Sequence, residues 1–251
     1  MIIAVTNNKG GVGKTSVCIN AGASLAALGR RVLIVDLDAQ QSAGHSLGVD
    51  RNAAPTTADV LLDGIPIEET ILTTEAGVDI APASFRLVDA DVLLADAPGR
   101  EKKLRAALAS VRRKYDFILI DTPPSFGLVV VNSIVAADAV LVPLVPHYLA
   151  LEGLSNLLKA LDRTRKGTGA GGALLGIVLN MCDYRQGVTR EVVDMVREHF
   201  GKDVFKTEIR VSVRMVEAPS YGASILTHAG RSAPAESYMD LAKEIIQRAK
   251  Q

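Results

Sequence analysis

Along this chain, short unbroken runs of Val, Ile and Leu alternate with longer stretches in which apolar residues return every three or four positions. The runs fall at Ile2–Thr6, Arg31–Asp36, Asp116–Asp121, Ala139–Val142 and Leu174–Asn180. They lack the strict alternation of a half-exposed strand, so they predict strands covered on both faces, as in a parallel sheet. Between them, Leu104, Ala107, Leu108 and Val111 predict a helix within Glu101–Lys114. Leu151, Leu154, Leu158 and Leu161 predict another over Leu149–Leu161, and Leu241, Ile245 and Ile246 a last one over Tyr238–Gln251. Strand and helix in alternation imply right-handed crossovers and an α/β fold: a three-layer, doubly wound, mostly parallel sheet with helices on both faces. Arg51–Asp79 is less regular, with turns around Pro55, Gly64 and Pro66, and Lys166–Gly172 reads as a flexible loop. No internal repeat interrupts this order, and one domain over 1–251 is expected.

Composition narrows the picture. The 251 residues are 48% hydrophobic and 22% charged, which excludes a disordered chain. The two cysteines, Cys18 and Cys182, are far apart and form no CxxC, so neither a disulfide scaffold nor a cysteine zinc site is expected, and a reducing cytoplasm fits. The start, MIIAVTNNKGG, has no basic n-region followed by a long apolar core, unlike a signal peptide. The most apolar stretch, Leu128–Val145, is broken by Asn132, Ser133, Asp138 and Pro143 and reads as helix, turn and strand, not as a membrane span. Twenty-eight basic residues balance 28 acidic ones. Taken alone, that zero weighs against a strong nucleic-acid binder.

The first strand runs directly into Lys9-Gly10-Gly11-Val12-Gly13-Lys14-Thr15 and then into the helical stretch Ser16–Leu28. Glycines at a strand-to-helix turn let backbone N–H groups converge on an anion at the helix N-terminus. In such a loop Lys14 reaches the outer phosphates and the Thr15 hydroxyl holds Mg²⁺. The common pattern G-x-x-x-x-G-K-[ST] is not met, because Asn8 stands at its first glycine, and a second lysine, Lys9, sits within the loop. Two further runs end in acids at the carboxyl edge of the sheet, where doubly wound folds bind ligands: Asp36-Leu37-Asp38, and Asp121 before Thr122-Pro123-Pro124.

KGGVGKT resembles the deviant Walker A motif of the ParA/MinD family of P-loop ATPases, and later segments resemble its ParA (Soj-like) partition branch. The resemblance implies an ATP and Mg²⁺ site formed by Lys9, Gly10, Gly11, Val12, Gly13, Lys14, Thr15 and Ser16. Lys9 would cross a dimer interface to the partner's nucleotide. Asp38 would position or activate the attacking water in switch I, with Asp36 near the magnesium shell and Asp121 as the Walker B acid. Pro123 and Pro124 would stiffen switch II. Asn180 matches the adenine-reading position. Two departures stand out: Ala39-Gln40-Gln41 replaces the family's Pro-Gln-Gly, and Arg210 replaces a proline after Ile209.

Val213–Gly222 also resembles the corresponding stretch of chromosomal ParA proteins, implying DNA contacts by Arg214 and Arg185; Arg210, among the basic residues between them, is a further candidate. Low aromatic content points to backbone contacts without base stacking. The reading is a homodimeric, weak ATPase that binds non-specific DNA when ATP-bound. It is released when a ParB-like adaptor stimulates hydrolysis, in the cytoplasm and on the nucleoid. No N-terminal helix-turn-helix is expected, because the phosphate loop begins at residue 9. The alternatives are a ParA-like ATPase positioning a protein cargo, such as a chemotaxis cluster or carboxysome, and a MinD-like membrane-surface ATPase. The latter would need a terminal amphipathic helix richer in bulky and basic residues than Tyr238–Gln251. An iron protein of the related reductases would need cluster cysteines that Cys18 and Cys182 do not provide.

Overall fold

A computed structural model describes residues 1–250. The strands are β1 (Ile2–Val5), β2 (Val32–Asp36), β3 (Leu72–Thr73), β4 (Asp79–Ala81), β5 (Phe117–Asp121), β6 (Ala139–Leu144), β7 (Ala173–Cys182) and β8 (Val204–Arg210). The helices are α1 (Lys14–Ala27), α2 (Ser42–Ser46), α3 (Thr57–Asp63), α4 (Ala90–Leu93), α5 (Lys103–Leu108) and α6 (Leu128–Ala136). They continue with α7 (Ala150–Thr168), α8 (Gly187–Phe200), α9 (Val213–Glu217), α10 (Ile225–Ala229) and α11 (Ala233–Arg248).

All eight strands form one sheet in the order β3-β4-β2-β5-β1-β6-β7-β8, parallel except for the β3–β4 pair. Side chains alternate across it into two cores. Ile2, Ala4, Leu33, Val35, Ile118 and Ile120 face α3 and α5–α8, while Ile3, Val5, Ile34, Phe117 and Leu119 face α1 and α11. This two-sided cover explains the unbroken apolar runs. The expected fold class is therefore the observed one.

Several boundaries differ from expectation. α7 continues through Lys166 to Thr168, so the loop expected over Lys166–Gly172 is confined to its second half. The expected helix within Glu101–Lys114 is regular only over Lys103–Leu108, preceded by a 3₁₀ turn at Arg100–Lys102 and followed by turns. The last helix begins earlier, at Ala233, with Pro234 in its first turn; residue 251, the expected end, lies outside the described residues. β6 runs on through Pro143 to Leu144, because Pro143 pairs with Val178 as a strand residue and contributes its carbonyl to Asn7.

β1 lies between β5 and β6, so successive crossovers leave it on opposite sides. That places the loop after β1 in a crevice at the carboxyl edge of the sheet.

Candidate functional site

The loop from Thr6 to Gly13 is shaped by two features. Gly11 (φ +72°) and Gly13 (φ +82°) adopt the left-handed conformation, and Gly13 ends the loop as the residue before α1. Asn7, buried, donates from Nδ2 to the Pro143 carbonyl (2.7 Å) and accepts from the Lys9 amide (3.0 Å), fixing the loop to β6. Asn7 is a positioning residue that the motif pattern gave no reason to single out. α1 carries no acidic residue in its first turn, which leaves its N-terminal amides and dipole open to an anion.

Lys14 is 7% exposed, and its Nζ donates to the Lys9 carbonyl (3.0 Å). Burial lowers its pKa, and the charges of Asp121 and Asp38 partly offset this. Lys9 lies along its own chain, Nζ donating to the Leu149 carbonyl (3.3 Å) just before α7, with its stem against Gly153.

The acids gather next to this loop. Asp36 and Asp121 are register partners on β2 and β5, and both are fully buried. Their environments nevertheless differ. Asp36 accepts three backbone N–H groups: Asp38 (3.0 Å) on Oδ1, and Ala43 (3.1 Å) and Gly44 (3.2 Å) on Oδ2. Its carbonyl accepts from Thr57 Oγ1 (2.7 Å). Asp36 therefore holds the Asp38–Gly44 loop in place, and burial raises its pKa to about 7 despite those bonds. Asp121 has neither oxygen hydrogen-bonded. Burial, then the neighbouring Asp36, push its pKa well up, and the Thr15 hydroxyl beside it offsets this a little without completing a hydrogen bond.

An orphaned, buried carboxylate facing a threonine hydroxyl at a phosphate loop fits a divalent cation, which would supply the missing partner. No cluster of three or more His, Cys, Asp or Glu side chains with metal-binding geometry exists among the described residues. Mg²⁺ commonly takes one or two protein ligands with phosphate oxygens and water completing the shell, so Thr15 and Asp121 suffice.

Asp38 is half-buried at the loop tip, its Oδ1 accepting from the Gln40 amide (3.0 Å). Where the family pattern has glycine, Gln41 takes φ +59°, a left-handed conformation unfavourable for a side-chain-bearing residue. Opposite, buried Asn180 donates from Nδ2 to the Val12 carbonyl (2.8 Å). A Cβ on Gly13 would collide with that nitrogen. The side chain expected to face adenine thus also braces the phosphate loop.

The candidate DNA-binding arginines lie at the same end of the sheet, after β7 and β8. Arg185 is 82% exposed but paired side-on with Asp183 (2.7 and 2.8 Å), and this guanidinium holds the Asp183 carboxyl well below the usual carboxylate range. Arg210 ends β8 and lies over the Tyr184 ring at 5.5 Å. Arg214 opens α9 and is exposed. Arg197, by contrast, is taken by Glu208 (2.7 Å).

A family model described as an AAA domain matches residues 1–170. The sporulation initiation inhibitor protein Soj of Bacillus subtilis (strain 168) is 41% identical over 246 residues, spanning 97% of each chain. The chain belongs to the Soj/ParA family. The chromosome partitioning protein ParA of Myxococcus xanthus is 42% identical over 249 residues, 98% of this chain and 88% of that one. Among solved structures, cobyrinic acid a,c-diamide synthase from Mycobacterium smegmatis, with bound ATP analogue and magnesium, superposes with a TM-score of 0.87 at 31% identity, covering 100% of this chain and 96% of that one. Membership of the Soj/ParA family accords with the deviant Walker A reading. No helix among the described residues is long and apolar enough to cross a membrane.

Proposed function

We propose that this Soj/ParA-family chain is an ATP-driven partition switch. Its ATP- and Mg²⁺-bound homodimer holds DNA through backbone contacts and lets go after hydrolysis stimulated by a ParB-like adaptor, on the nucleoid in the cytoplasm. The observation that carries the reading is the presence, beside one phosphate loop, of a buried Lys14 and a buried Asp121 whose oxygens have no hydrogen-bond partner. Such a pair is costly to keep unless a phosphate and a cation complete it.

The loop amides and Lys14 would orient the triphosphate, and Thr15 and Asp121 would hold Mg²⁺, which when bound would supply neutralisation of the phosphate charge. Asp38, at the tip of the loop fixed by Asp36, would accept a proton from, or align, the attacking water. Lys9 would leave the Leu149 carbonyl to reach the partner's nucleotide, so dimerisation and nucleotide state are coupled. Relatives named as chromosome partitioning proteins favour DNA as the cargo.

The test is a pair of variants. Lys14→Ala should lose ATP binding and ATP-dependent dimerisation; normal binding would refute the site. Asp38→Ala should keep the ATP-dependent dimer and DNA binding while turnover falls by about 10²-fold or more. Unchanged hydrolysis would remove Asp38 from its role.

A further inference from the structure

The segment between β4 and α5 borders both switch loops. A cavity of about 280 Å³ separates Asp38 and Gln40 on one side from Pro124 and Gly127 on the other, and its third wall is Val88 and Asp91. Asp91, on α4, reaches across to switch II: its Oδ1 accepts the Leu128 amide at 2.7 Å. Leu128 is the first residue of α6, where amides have no partner within the helix. α6 cannot cap itself, since the preceding residue is Gly127 and no acid lies in its first turn. Asp91 is thus a cap supplied by another element, with its negative charge at the positive end of the helix. Gly127 makes room for it, because a Cβ there would stand 2.5 Å from Asp91 Oδ2.

A second tie lies one turn further along. Buried Asn132 accepts from the Leu104 amide (3.1 Å) and donates to the carbonyls of Arg100 (2.8 Å) and Leu128 (3.0 Å). This internal bond fixes α6 on the α4–α5 segment. Asp91 is solvent-exposed and holds only the first turn, immediately after Asp121-Thr122-Pro123-Pro124-Ser125-Phe126-Gly127. The Asn132 bonds are thus sheltered from water, whereas the Asp91 bond is open to it.

We infer that Asp91 is a positioning residue for ATP hydrolysis. By holding the start of α6 it sets where switch II stands relative to Asp38 across the cavity, without touching nucleotide. The inference rests on the ATPase reading above. It places the control of switch II on α4, outside the phosphate loop and both acidic strand ends.

The experiment compares Asp91→Ala and Asp91→Asn in the full chain, reading kcat at saturating ATP, affinity for a fluorescent ATP analogue, Tm, and amide hydrogen exchange over residues 122–130. Asp91→Ala should lower kcat about tenfold with unchanged nucleotide affinity, the signature of an interaction that matters in the transition state. Exchange at the start of α6 should quicken. Asp91→Asn keeps an acceptor for the Leu128 amide and should retain most of the turnover. Unchanged kcat in Asp91→Ala, with only Tm lowered, would reduce Asp91 to a helix cap and overturn the inference. Equal losses in both variants would also overturn it, by assigning the effect to charge and not to the hydrogen bond. A wild-type chain that hydrolyses no ATP would instead fail the reading on which the inference stands.

Discussion

Asp121 sits where charge is penalised, and its two unpartnered oxygens make the unliganded protein sensitive to pH. Its register neighbour Asp36 titrates at about 7, against an ordinary value of 3.8. Between those two values the folded chain holds a proton on Asp36 that the unfolded chain releases, so stability falls as pH rises through the window. The slope reaches about 1.4 kcal/mol per pH unit for each such group. Asp121, shifted in the same direction, adds to this fall. Thermal melts of the nucleotide-free protein between pH 5 and 8 should show Tm dropping with pH, and Asp121→Asn should flatten the curve and raise Tm at pH 8 by about 2–4 °C for each kcal/mol relieved. In the proposed role of Asp121 the Mg²⁺ would need its carboxylate, so binding of Mg²⁺ and nucleotide should release protons, seen as calorimetric heats that depend on the buffer's ionisation enthalpy. Gln41 offers a second residue-level check. Its left-handed backbone is held by the grip of Asp36 on Ala43 and Gly44, so Gln41→Gly should stabilise the chain by about 0.5–1 kcal/mol, and an unchanged denaturation midpoint would show that no strain resides there.

At the scale of elements, the strands that build the site were legible because burial on both faces writes itself as a run of Val, Ile and Leu. β1, β2, β5, β6 and β7 all carry such runs. The short strands β3 and β4 and the edge strand β8 carry weaker signals: β3 is two exposed residues, and β8 mixes polar and apolar positions because half its surface meets water. α7 overran its expected end because lysine and threonine tolerate a helix whose stop is set later, by Gly169 in the left-handed conformation. The phosphate loop and the acids at strand ends were legible as a motif in context. The ties between elements were not, since Asn7, Asp91 and the Asn180–Val12 bond join residues far apart in sequence. Asn180 shows the difference most directly. A side chain that only reads adenine matters for ATP, whereas one that braces the Val12 carbonyl matters for any polyphosphate. Asn180→Asp replaces the donor by an acceptor facing another acceptor, and it should weaken inorganic tripolyphosphate as well as ATP, by about tenfold or more for one lost buried hydrogen bond. Undiminished tripolyphosphate binding with weakened ATP would leave Asn180 as a base reader alone.

For the whole molecule, 28 positive and 28 negative charges leave no general attraction for DNA, so the DNA binding proposed above would depend on where the arginines stand and how many act together. Arg185, Arg210 and Arg214 share one end of the sheet, but they are not equally free: Arg185 is paired with Asp183, Arg210 lies over Tyr184, and Arg214 is exposed. Three phosphate contacts per chain predict a log–log salt slope of about −3 for a monomer and about −5 for a dimer that aligns both sets. On the proposed function affinity and slope grow together, so dimerisation would convert a contact too weak to matter into one that holds, and hydrolysis would reverse it. Filter binding of the ATP-bound protein to mixed-sequence duplex across a salt series would measure this. Arg214→Ala, acting in both subunits, should flatten the slope by about 2 and weaken binding on every sequence alike. Asp183→Asn should do the opposite in affinity, because it frees Arg185 from its internal carboxylate. Exposed ion pairs are weak, so the gain should be no more than about fivefold per subunit. A slope that stayed the same in Arg214→Ala would place the DNA on another face of the sheet.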